Sequence, residues 1–523
     1  MGNNIQKEKD NHSASATKHY TRSNELKIAY RTEEAILEIN KALNLNPKYA
    51  EAYTLRSELY YKMELYDKAL QDVNFSLSIN NNNAESYYQR ATIYWRQKQL
   101  NLALNDCWKC VQINKNFAMG YCRLGTIMWD LKEIDKELEY YNQAIQKDSN
   151  CYNAFICRGC FYMDGQKADL ALRDFNQAIQ INPQYSLAFY NRGDQTYYRE
   201  GYFYYKIGEQ DKALNDYTKA IQLDPNNVIT YRNRGFLYSI IGDKEKALND
   251  YNKAIQLDPN FAIIFNNRGH LYYNIGEKEK ALNDYNQAIQ LDPNNVMTYH
   301  NRGHLYSDIG EIDKALNDYN KAIQLAPNFA TIFYNRGHLY YNIGEKEKAL
   351  NDYNKAIQLD PNDAAVYQNR YEQYQTNIIA ILYVNIDEYD KALNDQNKTI
   401  QLNPNNAQAY YNRAILYKNI GKHDEALNDY NQVFQLDPNY VQAFFGKGLI
   451  LQELKQYEQA IICFDKAISL DQNHINAYFN KAISLEQLNQ FFQAIKYYKI
   501  ALTLNHPSQD YISQKVSILR VFL

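Results

Sequence analysis

Between Ala262 and Asn295 the apolar and polar residues form two short periodic stretches separated by a break. With Ala262 as position 1, Phe265, Gly269 and Tyr272 fall at positions 4, 8 and 11, which share one face of a helix. Ile275 and Gly276 end that stretch, the glycine supplying the left-handed conformation that closes helices. Ala281, Tyr285 and Ala288, at positions 20, 24 and 27, form the apolar face of a second helix, which Pro293 at position 32 breaks. The pattern predicts two antiparallel helices. Small residues at 8, 20 and 27 let them approach closely, and aromatics at 4, 11 and 24 fill the space between them.

The unit recurs along the chain. Position 32 is occupied by Pro47, Asn81, Lys115, Ser149, Pro183, Pro225, Pro259, Pro293, Pro327, Pro361, Pro404, Pro438, Gln472 and His506, spaced by 34 residues except for 42 (183 to 225) and 43 (361 to 404). A 34-residue period is that of a helix–turn–helix repeat. Thirteen units are clear, and a blurred fourteenth at the N-terminus keeps Ser23, Leu26, Ala35, Ile39 and Ala42 on pattern. Glu137 stands at a small position, and the turns at Asn81 and Ser149 are weak. A further two-repeat periodicity between Val228 and Asp363 records a duplication.

An aromatic at 4, small residue at 8, Tyr at 11, Ala at 20, aromatic at 24, Ala at 27 and Pro at 32 resemble the tetratricopeptide repeat (TPR), from about Ala16 to His506. The resemblance implies an all-α fold, a right-handed superhelical α-solenoid of about 14 antiparallel helix pairs, whose family role is binding proteins. The expected organisation is a disordered polar leader (1–15), repeat blocks at 16–193, 202–370 and 380–506, and a capping helix at 507–523. Insertions at 194–201 and 371–379 separate the blocks. Both follow position 7 of a first helix, and their tyrosines (Tyr197, Tyr198, Tyr371, Tyr374) are suited to contacting the groove.

One charge pattern is internal to the chain. Position 7 is Arg and position 23 is Asp in Arg56/Asp72, Arg90/Asp106, Arg158/Asp174, Arg192/Asp216, Arg234/Asp250, Arg268/Asp284, Arg302/Asp318, Arg336/Asp352, Arg370/Asp395 and Arg413/Asp429. Where one is missing so is the other, as in Leu124/Tyr140, Lys447/Cys463 and Lys481/Tyr497. Both positions lie on the flanks at which an antiparallel pair meets. A structural ion pair within each of the ten repeats is expected, and an arginine array for phosphate is disfavoured because each charge has a partner.

Positions 2, 6, 9 and 13 of the first helix point away from the core. By resemblance, that face lines the concave groove and binds extended peptide. Position 6 is Asn191, Asn233, Asn267, Asn301, Asn335, Asn369, Asn412 and Asn480; position 9 is His270, His304 and His338; position 13 adds Asn274, Asp308, Asn342 and Asn419. An asparagine amide can both donate to and accept from a peptide backbone. The row is similar to the asparagine ladder in the repeat region of O-linked N-acetylglucosamine transferase. The competing reading is that these residues are by-products of duplication, or bond helix to helix. An Hsp70/Hsp90-type carboxylate clamp is not expected: among the position-5 residues only Arg232 is basic, and its position 9 is Phe236.

Composition narrows the function classes. A net charge of −3 and pI near 6.3 give no drive toward nucleic acid or anionic membrane. No apolar run is long enough for a membrane span, the polar N-terminus lacks a signal-peptide core, and Gln6 departs from the myristoylation pattern that Gly2 begins. Seven cysteines in a chain of 523 residues fit reduced thiols and a cytoplasmic location. Cys107-x-x-Cys110 falls on core slots; Cys122, Cys157 and Cys160 fall near the groove, where a thiol cluster is possible but incidental cysteine is the favoured reading. The histidines sit in separate repeats, so neither metal nor cofactor is expected. No phosphate loop or nucleophile elbow is present, and an enzyme is not expected. The leading expectation is a protein–protein interaction scaffold or adaptor. A structural subunit of a large cytoplasmic or cytoskeletal complex is an alternative, as is a non-catalytic substrate-recruiting partner of a modifying enzyme.

Overall fold

A computed structural model describes residues 2–29, 31–198, 207–380 and 386–522, with side chains at 12–29, 31–194, 210–372 and 389–521. Among the described residues there are twenty-nine α-helices, no strand, and a closing 3-10 turn at Arg520–Phe522. The first twenty-eight helices alternate as first (A) and second (B) helices of successive repeats, and within the two units thirteen such antiparallel pairs pack together, as in Val296–Asp308 with Ile312–Leu325. The chain divides into two compact units, Met1–Leu271 and Tyr272–Leu523, and the division falls at neither insertion.

Each boundary has a local cause. Between A and B helices one residue takes positive φ: Gly242, Gly276, Gly310, Gly344 and Gly421 in the central repeats, but Glu64, Lys98, Lys132, Gln166, Lys455 and Asn489 toward the ends. The central repeats therefore carry the residue that adopts this conformation with least strain. Between most repeats, an Asp or Asn side chain at position 31 accepts from the backbone N–H two residues on. Asp258 does so from Asn260 and Asp292 from Asn294, both at 3.0 Å. Repeats that lack the proline make the same turn, Asn80 bonding Asn82 at 3.0 Å and Asp148 bonding Asn150 at 2.9 Å. The Asx turn therefore forms without proline, while Ala326-Pro327 carries the proline without an Asx side chain.

The core follows the small/large alternation. Ala281, Tyr285 and Ala288 are buried, as are Ala315, Tyr319 and Ala322 in the next repeat. Glycine at position 8 lies under the ring at position 24: a Cβ on Gly303 would stand 3.1 Å from Tyr319 Cδ1 and Cε1. Where position 24 is smaller, position 8 is larger, as in Ser57/Val73 and Ala91/Cys107. At the second insertion the sizes reverse, with buried Tyr371 at position 8 and buried Gln396 at position 24.

The arginines of position 7 hold three helices together. Each makes two parallel bonds of 2.5–2.9 Å to the aspartate of its own repeat. This holds for Arg56 with Asp72, Arg90 with Asp106, Arg158 with Asp174, Arg192 with Asp216 and Arg234 with Asp250. It holds equally for Arg302 with Asp318, Arg336 with Asp352, Arg370 with Asp395 and Arg413 with Asp429. The tenth pair, Arg268 and Asp284, falls across the division between the two units.

The carboxylates do not lie at the surface of the flank: Asp72, Asp106, Asp174, Asp216, Asp250, Asp318, Asp352, Asp395 and Asp429 are all buried, while their arginines remain half-buried. The cause is the small residue at position 8, which lets the helices close over position 23; the Cβ of Asp250 would lie 3.2 Å from a Cβ on Gly235. These aspartates are therefore part of the packed interior and offer nothing to a ligand.

The remaining guanidinium nitrogen reaches back to position 25 of the preceding repeat, as Arg56 to Asn40 at 2.7 Å and Arg302 to Asn286 at 2.6 Å. Each such arginine thus ties its own B helix to the previous one.

The exceptions are replaced as sets. At Leu124 the three slots hold Trp108, Leu124 and Tyr140, and the Trp108 and Tyr140 rings meet edge-on at 5.9 Å. Lys481 keeps the backward link, to Asp465, and lies 3.8 Å over the Tyr497 ring that stands where the aspartate would be. Lys447 keeps its link to Asn431 at 2.8 Å.

The ends and insertions refine the expected organisation. The residues of the polar leader from Gly2 on are part of the helix Gly2–Ile28. Its sequence contains no proline, and its only glycine is Gly2, so nothing in it breaks a helix. The second insertion is continuous with its A helix, which runs Ala364–Ala380, against thirteen residues for the A helix Ala330–Asn342. Residues 199–201 of the first insertion, and the side chains of Tyr197, Tyr198 and Tyr374, lie outside the described residues. At the C-terminus, Gln509–Leu519 buries Ile512, Val516 and Leu519 against Leu485, Ile495 and Tyr498, capping the last pair.

Glu137 is 4% exposed at a slot that other repeats fill with alanine, and burial pushes its carboxyl up to about 7. Between the unfolded value near 4.3 and 7 the unfolded chain releases a proton that the folded one keeps, so stability falls across that window and the penalty is complete above it. Glu137→Ala is expected to raise stability by on the order of 2 kcal/mol at pH 8 and by less at pH 5. Thermal melts of both proteins at the two pH values check this, and a gain independent of pH would contradict it.

Candidate functional site

The candidate site is the A-helix face turned away from the B helices. In the first unit, Ala50–Lys62, Ala84–Arg96, Ala118–Asp130 and Tyr152–Asp164 contact one another in series; in the second, Val296–Asp308, Ala330–Asn342 and Ala364–Ala380 do so. Among the described residues, successive B helices make no comparable contact. Each unit therefore curves with its A helices inside.

Along this inner face, position 5 of one repeat meets position 6 of the next. Asn233 Nδ2 donates to Tyr190 Oη at 3.2 Å, Asn335 Nδ2 bonds His300 Nε2 at 2.6 Å, and Asn369 Nδ2 donates to Tyr334 Oη at 2.8 Å. With the Asn335 amide donating, His300 carries its proton on Nδ1, which faces Asn301 Oδ1 at 3.3 Å. The asparagine row is thus engaged in part from helix to helix, and one donor at each of these three rungs is already used.

The other asparagines differ in setting. Asn191 and Asn412 are buried, and Asn412 Oδ1 accepts from Gln408, so neither presents a whole amide to a ligand. Asn480 bonds the carbonyl of Asn476 on its own helix. Asn267 and Asn301 are half-buried. His270, His304, His338, Asn274 and Asn342 are exposed, and Asn342 Nδ2 lies 3.3 Å from His338 Nδ1.

Two further groups join residues that the sequence offered only one by one. Tyr273 bonds both His304 Nδ1, at 3.1 Å, and the carboxylate of Asp308, and its phenol is pushed up to about 12 by burial and by that carboxylate. In the first unit Asp194 accepts from Asn233 and Tyr217, while Arg232 donates to Asn233 Oδ1. Both clusters join a position-9 or position-6 residue to one from a neighbouring repeat, a spacing no single-repeat pattern reveals. Among the described residues no group of three or more His, Cys, Asp or Glu is placed to hold a metal ion.

The face is therefore lined chiefly by amides, imidazoles and phenols, with the Asp194 and Asp308 carboxylates and the Arg232 guanidinium bonded among them. The position-7 guanidinium groups beside it are already engaged, those of the first unit by Asp72, Asp106, Asp174, Asp216 and Asp250 and that of Arg413 by Asp429. Such a surface can exchange hydrogen bonds with a polypeptide backbone. Its repeat matches known sequence families. The TPR repeat profile matches residues 201–239, 240–276 and 303–344; three tetratricopeptide repeat profiles match 262–295, 330–363, 407–440 and 441–474, then 284–317 and 463–496, then 84–117 and 120–151. The chain belongs to the tetratricopeptide-repeat family.

Tetratricopeptide-repeat proteins are in general interaction scaffolds that bind other proteins. No curated protein matches the chain. Among solved structures it is similar to Cut9 with Hcn1 from the APC/C hetero-tetramer (16% identity, 90% of this chain and 97% of that one, TM-score 0.42). It is also similar to yeast Tom70 (19%, 84% and 96%, 0.43) and to YrrB, described as a TPR protein with an unusual peptide-binding site (23%, 38% and 97%, 0.30). No helix among the described residues is long and apolar enough to cross a membrane.

Proposed function

We propose that this tetratricopeptide-repeat chain is a non-enzymatic cytoplasmic scaffold that holds an extended polypeptide along the inner face of its A helices. The observation that carries the reading is the chemistry of that face. In the second unit Asn301, Asn335, His304 and His338 recur at repeat spacing, and nearby Arg302 and Arg336 are occupied by Asp318 and Asp352. A neutral row of donors and acceptors favours backbone over side-chain recognition, and so tolerates varied sequences. Nothing in the row demands an acidic C-terminus, unlike a carboxylate clamp.

The test is affinity capture with the wild-type chain and with Asn301→Ala and Asn335→Ala combined. Loss of most captured proteins, with the thermal melt unchanged, is the expected result. The same capture list from both would remove the inner face as the binding surface.

A further inference from the structure

Among the rungs between positions 5 and 6, one is made of two thiols. Where other repeats place Tyr190 against Asn233 or His300 against Asn335, the helices Ala118–Asp130 and Tyr152–Asp164 place Cys122 against Cys157, with Sγ 3.6 Å from Sγ. We propose that Cys122 and Cys157 form a reversible disulfide that locks these two A helices together when the chain meets a peroxide.

Three features support it. First, the cysteines lie on separate helices that already touch, and a small side-chain rotation brings two sulfurs from contact to the bonded separation of about 2.05 Å. Second, the two differ in burial: Cys122 is buried, whereas Cys157 is half-buried. Third, their surroundings differ. The Cys122 thiol donates to Cys157 and holds the Cys157 thiol below its ordinary value, with the Arg123 guanidinium and Thr126 adding to this against the cost of burial. The other six cysteines are all shifted up, Cys107, Cys110, Cys151, Cys160 and Cys463 chiefly by burial and Cys122 chiefly by its bond to Cys157. Cys157 is therefore the attacking sulfur and Cys122 the resolving one.

The chemistry balances in two steps. Cys157 thiolate attacks one oxygen of hydrogen peroxide, the O–O bond breaks, and protonation of the leaving hydroxide gives water and Cys157 sulfenic acid. Cys122 sulfur then attacks the Cys157 sulfur, the S–O bond breaks, and the departing hydroxide leaves as water with the Cys122 proton. Two thiols are oxidised and one peroxide is reduced to two waters. Added thiol reverses the product.

The test uses the full chain, treated with a slight excess of hydrogen peroxide, blocked, digested and mapped by mass spectrometry without reductant. The expected product is one linked peptide pair joining Cys122 to Cys157, about 2 Da lighter than the two thiols and absent after dithiothreitol. In Cys122→Ser, Cys157 should instead stop at sulfenic acid and be trapped by dimedone. In Cys157→Ser, Cys122 should oxidise at least about tenfold more slowly than Cys157 does in the wild type. Oxidation spread evenly over the seven cysteines, a different linkage, or a sulfenic acid that persists in the wild type would each overturn the proposal.

Discussion

Asp318→Ala should cost about 3 kcal/mol, far more than removing an ordinary surface ion pair, because it strands a half-buried guanidinium. Arg302 holds Asp318 through two bonds of 2.7 and 2.8 Å, and Asp318 is 5% exposed. After the substitution, Arg302 would keep only Asn286 in the preceding repeat. The chain itself contains a way out, since Trp108, Leu124 and Tyr140 fill the same three slots with apolar side chains. Asn286→Trp, Arg302→Leu and Asp318→Tyr introduced together should therefore recover most of the loss, as apolar replacements of buried ion pairs commonly do. Repeat arrays can unfold in parts, so hydrogen exchange over Ile312–Leu325 is the appropriate readout beside the melt. A loss under about 1 kcal/mol for Asp318→Ala would place the pair among exposed bridges and remove this account of it.

The same arginines mark what the sequence makes legible. Arg at 7 and Asp at 23 vary together within one chain, so their contact needs no outside comparison. How deeply Asp106 or Asp429 is buried is less legible, because helical period gives a direction around the axis and not the distance to the next helix. The link to Asn286 or Asn40 is harder to read because its two ends belong to different repeats and asparagine is abundant everywhere. Helix pairs and core faces follow directly from Gly303, Tyr319 and their equivalents, since the spacing of small and large residues is itself the packing. The turn is less direct: proline at 32 draws the eye, but Asp148 and Asn80 make it without one. The inner face is the least legible. Whether Asn335 offers its amide outward or commits it to His300 depends on how closely two A helices approach, and that distance is set by core packing on their opposite side. The leader shows the complementary gap, since polar composition alone does not separate disorder from the helix Gly2–Ile28.

That core packing can be tested where the helices come closest. A Cβ at Gly303 would lie 3.1 Å from the Tyr319 ring and 3.3 Å from Asp318 Cβ, already tight, and the two methyl groups of valine would extend beyond it. Gly303→Val should therefore destabilise the chain by about 3 kcal/mol through overpacking. Tyr319→Val, which empties a fully buried ring site, should cost about as much through a cavity. The two errors are complementary in volume. Ser57 facing Val73 and Ala91 facing Cys107 show that the fold accepts a larger position 8 when position 24 is smaller. The double variant is therefore expected to lose at least about 2 kcal/mol less than the sum of the single losses. Urea unfolding of the four proteins measures the coupling. Strictly additive losses would mean that the ring and the glycine do not share one space, and the size rule relating positions 8 and 24 would fail with them.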